Sequence, residues 1–238
     1  MTKASKVKFG DNTVEYLGHY GGDLTIGLSA WTSTSRALPA EKRARLGAML
    51  ESLAHDGHHS PMEKTGFHFL VTTDIATHIH LLKHRIGVAI NAESARYKEL
   101  KDKGYLPFDW PEDDRETLAH HIETSTALYH DTIKRLEAAG FTRARAKESA
   151  RFYLPYATQI TSDVMFNWRS FWHFLTLRYH TSAQAEVRRV ALEMLTIVRD
   201  LPKKPFEGTL VAFGLTNENG DIRRPFRKGD FLSVPVFE

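Results

Sequence analysis

The sequence predicts one compact α+β domain in which helices outnumber strands. Three observations carry this. Apolar stripes of helical period recur along the chain, and alternating two-residue patterns are few. The third is size: 238 residues, 42% of them hydrophobic, suffice for a real core and for one large domain or two small ones. The elements follow in chain order. Residues 14–20 offer a faint strand pattern. Pro39 opens and Gly57 stops a helix striped by Leu46, Met49, Leu50 and Leu53. Phe67, Phe69 and Val71 alternate with His68, Leu70 and Thr72, the signature of a half-buried strand. Residues 74–83 read as a helix with apolar face Ile75, Ile79 and Leu82, cations in its last turn and Gly87 beyond its end. Residues 107–111 make a turn-rich break. Glu112-Asp113-Asp114 then enter a helix striped by Leu118, Ile122, Tyr129, Ile133 and Leu136 and closed by Gly140. A helix over 167–178 and another striped by Val187, Val190, Ala191, Met194, Ile197 and Val198 complete the set. Residues 1–238 read as a single domain, with 201–238 a C-terminal extension of unassigned role.

Composition removes several chemistries. With no cysteine there is no thiolate nucleophile, thiolate zinc site, Fe–S cluster or disulfide framework. The 32 Lys+Arg against 29 Asp+Glu leave a charge of only +3, which suits small anionic ligands at least as well as a polynucleotide. No apolar run follows the charged N-terminus, and none approaches the ~20 residues of a membrane span. A cytoplasmic chain is expected.

Three polar constellations interrupt the apolar pattern. His80 and His84 stand four apart, a metal-ligand spacing, but no third ligand accompanies them, so no metal is expected. Next comes Asn91-Ala92-Glu93-Ser94-Ala95-Arg96-Tyr97, where a carboxylate, hydroxyl, guanidinium and phenol crowd together. In the third, Trp168, Phe171, Trp172, Phe174, Leu175 and Leu177 cover nearly every side of one helix, which nonetheless carries Arg169, His173 and Arg178. A buried arginine requires an anion. That anion is a neighbouring carboxylate, a subunit contact, or a ligand phosphate or deprotonated ring. Arg151, ahead of Leu154-Pro155, is a further candidate.

These residues resemble the flavin-dependent thymidylate synthase family. Lys83-His84-Arg85 followed by Asn91 and Ser94-Ala95-Arg96-Tyr97 is similar to its signature Arg-His-Arg…Asn-Glu-x-Ser-x-Arg-Tyr. Gly57-His58-His59-Ser60-Pro61-Met62-Glu63, Ala150-Arg151-x-x-Leu154-Pro155, and Asn167-x-Arg169-Ser170 through Phe174-Leu175-x-Leu177-Arg178 resemble three more of its blocks. The resemblance implies a small antiparallel sheet packed with several long helices. It implies a methyltransferase, usually a homotetramer with shared active sites, that holds FAD and dUMP. FAD is reduced by NADPH, and methylenetetrahydrofolate supplies the carbon that converts dUMP to dTMP. Ser33, Ser60, Lys83, His84, Arg85, Glu93, Asn167, Trp168, Arg169 and His173 match flavin positions. His80, Leu81, Leu82, Lys83, Glu93, Ser94, Ala95, Arg96, Arg151 and Arg178 match nucleotide positions. Arg178 is the catalytic candidate, at the position credited with favouring the N3-ionised uracil. Ser94 has no base or orienter evident around it and reads as a hydrogen-bond donor to the nucleotide. Thymidylate synthases that attach a cysteine thiolate to the ring are excluded by composition.

The sequence departs from the family pattern in places. Lys83 replaces an arginine, one extra residue separates Arg85 from Ser94, and Glu93 directly precedes the serine. Ala95, His80, His173 and Ser182 stand where Gly, Gln, Asn and His are usual. UMP, or a different one-carbon product, therefore stays open as an alternative to dUMP. A nucleic-acid-binding role would draw on Arg143-x-Arg145-x-Lys147 and Arg223-Arg224-x-x-Arg227-Lys228, sets that serve equally as solvated faces, interface contacts or phosphate grips for a cofactor.

Overall fold

A computed structural model describes residues 7–35 and 37–230. The first six residues of the charged N-terminus and the last eight of the 201–238 extension lie outside the described residues. The chain runs β1 (Lys8–Phe9), β2 (Thr13–Tyr20), α1 (Asp23–Trp31), α2 (Ala40–Ala44), α3 (Leu46–His55) and a 3-10 turn (Ser60–Lys64). It continues through β3 (Gly66–Asp74), α4 (Ile75–Leu82), β4 (Val88–Ala92), β5 (Lys103–Gly104), α5 (Glu112–Ala138) and α6 (Arg143–Ala150). A second 3-10 turn (Arg151–Tyr153) leads to β6 (Gln159–Asn167), α7 (Trp168–Arg178), α8 (Ala185–Arg199) and α9 (Glu207–Ala212). Helices outnumber strands among the described residues, as expected.

The sheet has the order β2-β3-β6-β4. At one end of the β3–β6 pair Trp168 N donates to Thr65 O, and further along Thr72 faces Thr161, so the numbering runs in opposite directions and the pair is antiparallel. Asn167 N on Gly87 O and Glu93 N on Thr161 O set β4 against β6 in the same sense. A separate two-stranded pair, β1 with β5, is parallel.

The chain groups into two compact units, one of residues 1–13, 70–83 and 90–163, the other of 14–69, 84–89 and 164–238. In the first, Tyr129 and Ile133 of α5 bury against Ala146 and Ala150 of α6, and Ala95, Leu100 and Ile160 form a second cluster. Helix α4 starts where the Asp74 carboxylate accepts Thr77 N at 2.8 Å, an N-cap that satisfies one of the orphan amides of the first turn. Its buried face differs from the expected one. Thr77, His78 and Leu81 are buried, while Ile79 and Leu82 are exposed. His78 makes this possible because its Nδ1 meets Ser162 Oγ at 3.0 Å, so the imidazole enters the interior with a partner.

The second unit has an aromatic core. Phe67 and Phe69 of β3, Phe166 of β6, Trp168, Phe171 and Phe174 of α7, and Phe206 are all fully buried. The Trp168 indole stacks on Phe206, 5.7 Å between ring centres. Each such ring contributes roughly 1.5–3 kcal/mol by leaving water. The Asp23 carboxylate accepts Gly208 N at 2.7 Å and Thr209 N at 3.0 Å, so α9 is capped by a residue from α1.

Candidate active site

In the second unit the site is built at the start of α7. Asn167 is the N-cap, its Oδ1 accepting Ser170 N at 2.8 Å, while its own N–H donates to Gly87 O. Ser170 Oγ adds a second donor to that same carbonyl at 2.7 Å. Gly87 has φ +68, and a Cβ there would stand 2.6 Å from the Asn167 amide nitrogen, so glycine is required twice over. The loop carrying Arg85 and Ile86 is thus fastened by its backbone, leaving the Arg85 side chain exposed and Ile86 92% exposed. Among the described residues Arg85 makes no ion pair.

Along α7 the three charged or imidazole side chains have different fates. Arg169 is exposed and pairs with Glu63 at 2.8 Å, which corrects the expectation of a buried guanidinium. His173 and Leu177 are exposed as well, so the helix has one solvent face, where the sequence read as apolar all round. Arg178 is half-buried, and its Nε donates to Nε2 of the buried His84 at 3.0 Å. An imidazole nitrogen that accepts must be the unprotonated one, so His84 is neutral with its proton on Nδ1. Burial lowers the Arg178 pKa below its ordinary value. Among the described residues no carboxylate pairs with it; of the anions the sequence left open, a carboxylate of this unit is not the one, and its hydrogen-bond partner is an uncharged imidazole.

The other flavin candidates of this unit are scattered. Ser60 is exposed at the head of the 3-10 turn, and Ser33 is exposed beyond α1 with its hydroxyl on Ala30 O at 3.0 Å. Trp168 is wholly within the aromatic core, its indole Nε1 without a hydrogen-bond partner among the described residues.

In the first unit α4 ends at Leu82 with Lys83 as its C-cap. His84 lies beyond the helix, and the four-residue spacing of His80 and His84 is therefore not realised on one helical face. Leu81 is buried, His80 half-buried, and Leu82 and Lys83 exposed. Glu93 accepts Lys98 Nζ at 2.5 Å and Thr161 N at 3.1 Å. Burial pushes its carboxyl up, but Lys98 and the Thr161 amide outweigh that and hold it below the usual carboxylate value. Glu93 is a strut between β4 and β6. Ser94 Oγ accepts Arg96 N, which leaves its hydroxyl proton available. Ala95 is buried, Arg96 pairs with Glu148 at 3.0 Å, and Arg151 is exposed with no ion pair among the described residues.

Three participants were missed from sequence: Ser170, which fastens Gly87; Glu148, which holds Arg96; and Ser162, which receives His78. Only Ser170 had a local signal, as a small hydroxyl residue in the first turn after an Asn cap. The basic run Arg143–Lys147 is spent within the chain. Arg143 bonds Glu137 and Glu99, Arg145 bonds Glu148, and Lys147 reaches Tyr97 O.

A sequence model of the family described as thymidylate synthase complementing protein matches residues 17–202. The flavin-dependent thymidylate synthase of Pseudothermotoga lettingae is 31% identical over 195 residues, 79% of this chain and 85% of that protein. A probable flavin-dependent thymidylate synthase of Mycobacterium phage L5 is 28% identical, covering 84% of this chain and 82% of its own. Among solved structures, the UMP/dUMP methylase PolB of Streptomyces cacaoi bound with 5-Br UMP superposes with a TM-score of 0.72 at 25% identity, over 88% of this chain and 97% of that one.

Proposed function

Because the chain belongs to the flavin-dependent thymidylate synthase family, a family of methyltransferases, we propose that it carries out the reductive methylation of dUMP at C5 to give dTMP. Methylenetetrahydrofolate donates the one-carbon unit and leaves as tetrahydrofolate. NADPH donates two electrons and leaves as NADP+. Bound FAD supplies hydride chemistry between them. The protein's own part is to bind, orient and polarise.

Arg178 carries this reading. A cation in a partly desolvated position, accompanied by a neutral imidazole and, among the described residues, by no carboxylate, favours an anion facing it and lowers the pKa of an acid placed there. A uracil ring losing its N3 proton is such an acid, and the anion is the better nucleophile at C5. Without cysteine, activation by charge in place of thiolate addition is the route open to this chain. For the flavin, the uncommitted Arg85 on its fastened loop, with Arg169 and His173 on the solvent face of α7, fits the anionic diphosphate of a dinucleotide. For the nucleotide, the exposed Arg151, the Ser94 hydroxyl and the exposed Arg96 supply donors. Glu93 acts by holding the segment in place.

A homotetramer with shared sites in the cytoplasm belongs to the same reading. Tyr97 and Phe152, aromatic side chains 83% and 85% exposed, are open to such a contact. Among the described residues no helix is long and apolar enough to cross a membrane. A second reading, methylation of UMP, is favoured by the likeness to PolB.

Purified protein titrated with FAD, then assayed with NADPH, methylenetetrahydrofolate and either dUMP or UMP, tests both readings. Flavin binding at micromolar concentration with dTMP formed is the expected result. Turnover of UMP but not dUMP selects the second, and failure to bind FAD overturns both.

A further inference from the structure

The second unit holds a cavity of about 480 Å³ that no residue discussed so far explains. It lies within the volume range of ordinary small-ligand sites, about 300–1,000 Å³. Trp172, Phe213 and Phe226 give it aromatic walls, and Arg223, Arg224 and Asp230 give it charge. Arg224 is committed, with two bonds to the Asp230 carboxylate at 2.9 and 3.1 Å, so these two charges cancel. Arg223 is the surplus cation, and among the described residues it makes no ion pair. Its backbone is fixed on both sides: its N–H donates to Leu215 O at 3.0 Å, and its carbonyl accepts the Tyr179 hydroxyl at 2.9 Å. Its Nη1 lies beside Gly214, 3.9 Å from where a Cβ there would be, and Gly214 itself has φ +67. Phe213, Arg223, Phe226 and Asp230 all lie beyond residue 202, where the family match ends. Trp172, by contrast, is the sequence neighbour of His173 on α7.

An aromatic wall beside an exposed guanidinium on an anchored backbone, with no ion pair among the described residues, suits a planar base carrying a phosphate monoester. The ring stacks on the aromatic face, and the fork of the arginine takes two phosphate oxygens. We propose that this cavity takes the 2′-phosphoadenosine end of NADPH, with Arg223 on the 2′-phosphate. The proposal rests on the reading that NADPH reduces the flavin, and it gives Arg223 a use as a phosphate grip. It also makes Arg223 the residue that distinguishes NADPH from NADH, which lacks that phosphate.

The test uses full-length protein loaded with FAD, with anaerobic bleaching of the flavin followed over a series of NADPH or NADH concentrations. Arg223→Met should raise the half-saturating NADPH by about tenfold or more, the loss expected for one charge-assisted contact. Arg223→Lys should recover part of it. NADH saturation, FAD affinity and product formation after reduction with dithionite should not move. An equal change for NADPH and NADH, a loss of FAD affinity, or no change at all would overturn the assignment while leaving the flavin enzyme intact. A protein that binds no FAD would refute the underlying reading, and the two failures are therefore distinguishable.

Discussion

Arg178 donates its Nε–H to Nε2 of His84 at 3.0 Å, so the one guanidinium that α7 holds half-buried is positioned by a neutral base. A carboxylate in that place would have absorbed the charge. An imidazole orients the fork and leaves the charge to be felt by whatever lies opposite. Arg178→Lys shortens the reach and loses the fork. A charged hydrogen bond contributes roughly 1.5–3 kcal/mol, and each ~1.4 kcal/mol felt only in the transition state is tenfold in rate, so turnover should fall at least about tenfold. Flavin content should hold. Melting temperature, flavin absorbance and dTMP formation on one preparation decide it, and a destabilised variant with normal specific activity would refute the catalytic role.

Asn167 has two jobs that can be separated. As N-cap its loss costs about 0.5–2 kcal/mol, typically about 1, and for a chain of this size that is a drop of roughly 2–4 °C in Tm per kcal/mol. Asn167→Ser should keep the cap and most of the stability, whereas Asn167→Ala should lose both stability and flavin affinity, since Gly87 and the Arg85 loop are fastened to the same turn. Equal flavin affinity in the two variants would mean that the Asn167 side-chain cap does not matter to the cofactor.

Much of the fold could be read from period alone. The β3 alternation and most of the α5 and α8 stripes bury the residues their spacing names, because a single face met a single core, while Leu118, Leu136 and Ile197 at the stripe margins are only half-buried. Helix α4 was legible in extent but not in orientation. Its Ile79 and Leu82 look like core and are exposed, and the buried His78 depends on Ser162, which lies 84 residues away in sequence. Strand β6 escaped notice for the same kind of reason: Gln159 and Ser162 are buried in it, and their polar character masks the alternation until Gln159 is seen bonding Gly10 O and Asp11 O. At the site, the residue types were legible and their commitments were not. Nothing local in sequence shows that Arg169 is tied to Glu63, Arg96 to Glu148 and Glu93 to Lys98.

Arg96 and Glu148 form a pair that a nucleotide phosphate must compete with, if Arg96 binds the phosphate as proposed. Arg96 is exposed, and exposed pairs contribute only about 0.2–1 kcal/mol, so the competition is mild. Glu148→Gln should tighten dUMP binding about two- to fivefold at low salt, with the gain shrinking as salt screens the pair. Calorimetric titration at two ionic strengths checks this. Weaker binding in the variant would show that Glu148 positions Arg96 for the ligand and does not compete for it.

The buried His78 sets a pH dependence whose sign can be worked out. Burial lowers its pKa below the ordinary 6.5. Between the folded value and 6.5 the unfolded chain carries the extra proton, so stability falls as pH drops below 6.5 and levels off once the folded imidazole is also charged. Above 6.5 both states are neutral at this position and it contributes no slope. Protonation would also place a second donor inside an interior that offers Nδ1 only the Ser162 hydroxyl at 3.0 Å. His78→Asn keeps a polar group that can meet Ser162 and removes the titration. Urea unfolding at pH 7.5 and 5.5 should show the variant less stable at the higher pH, from lost packing, but losing less on acidification than the parent. The shortfall between these two pH values should be at most about 1.4 kcal/mol, because only the one unit between 6.5 and 5.5 is sampled. His59, whose pKa is also lowered, by burial first and then by Arg169 and His58, titrates in the same direction in both proteins and cancels in the comparison. Parallel acid losses in parent and variant would show that His78 is not the group responsible.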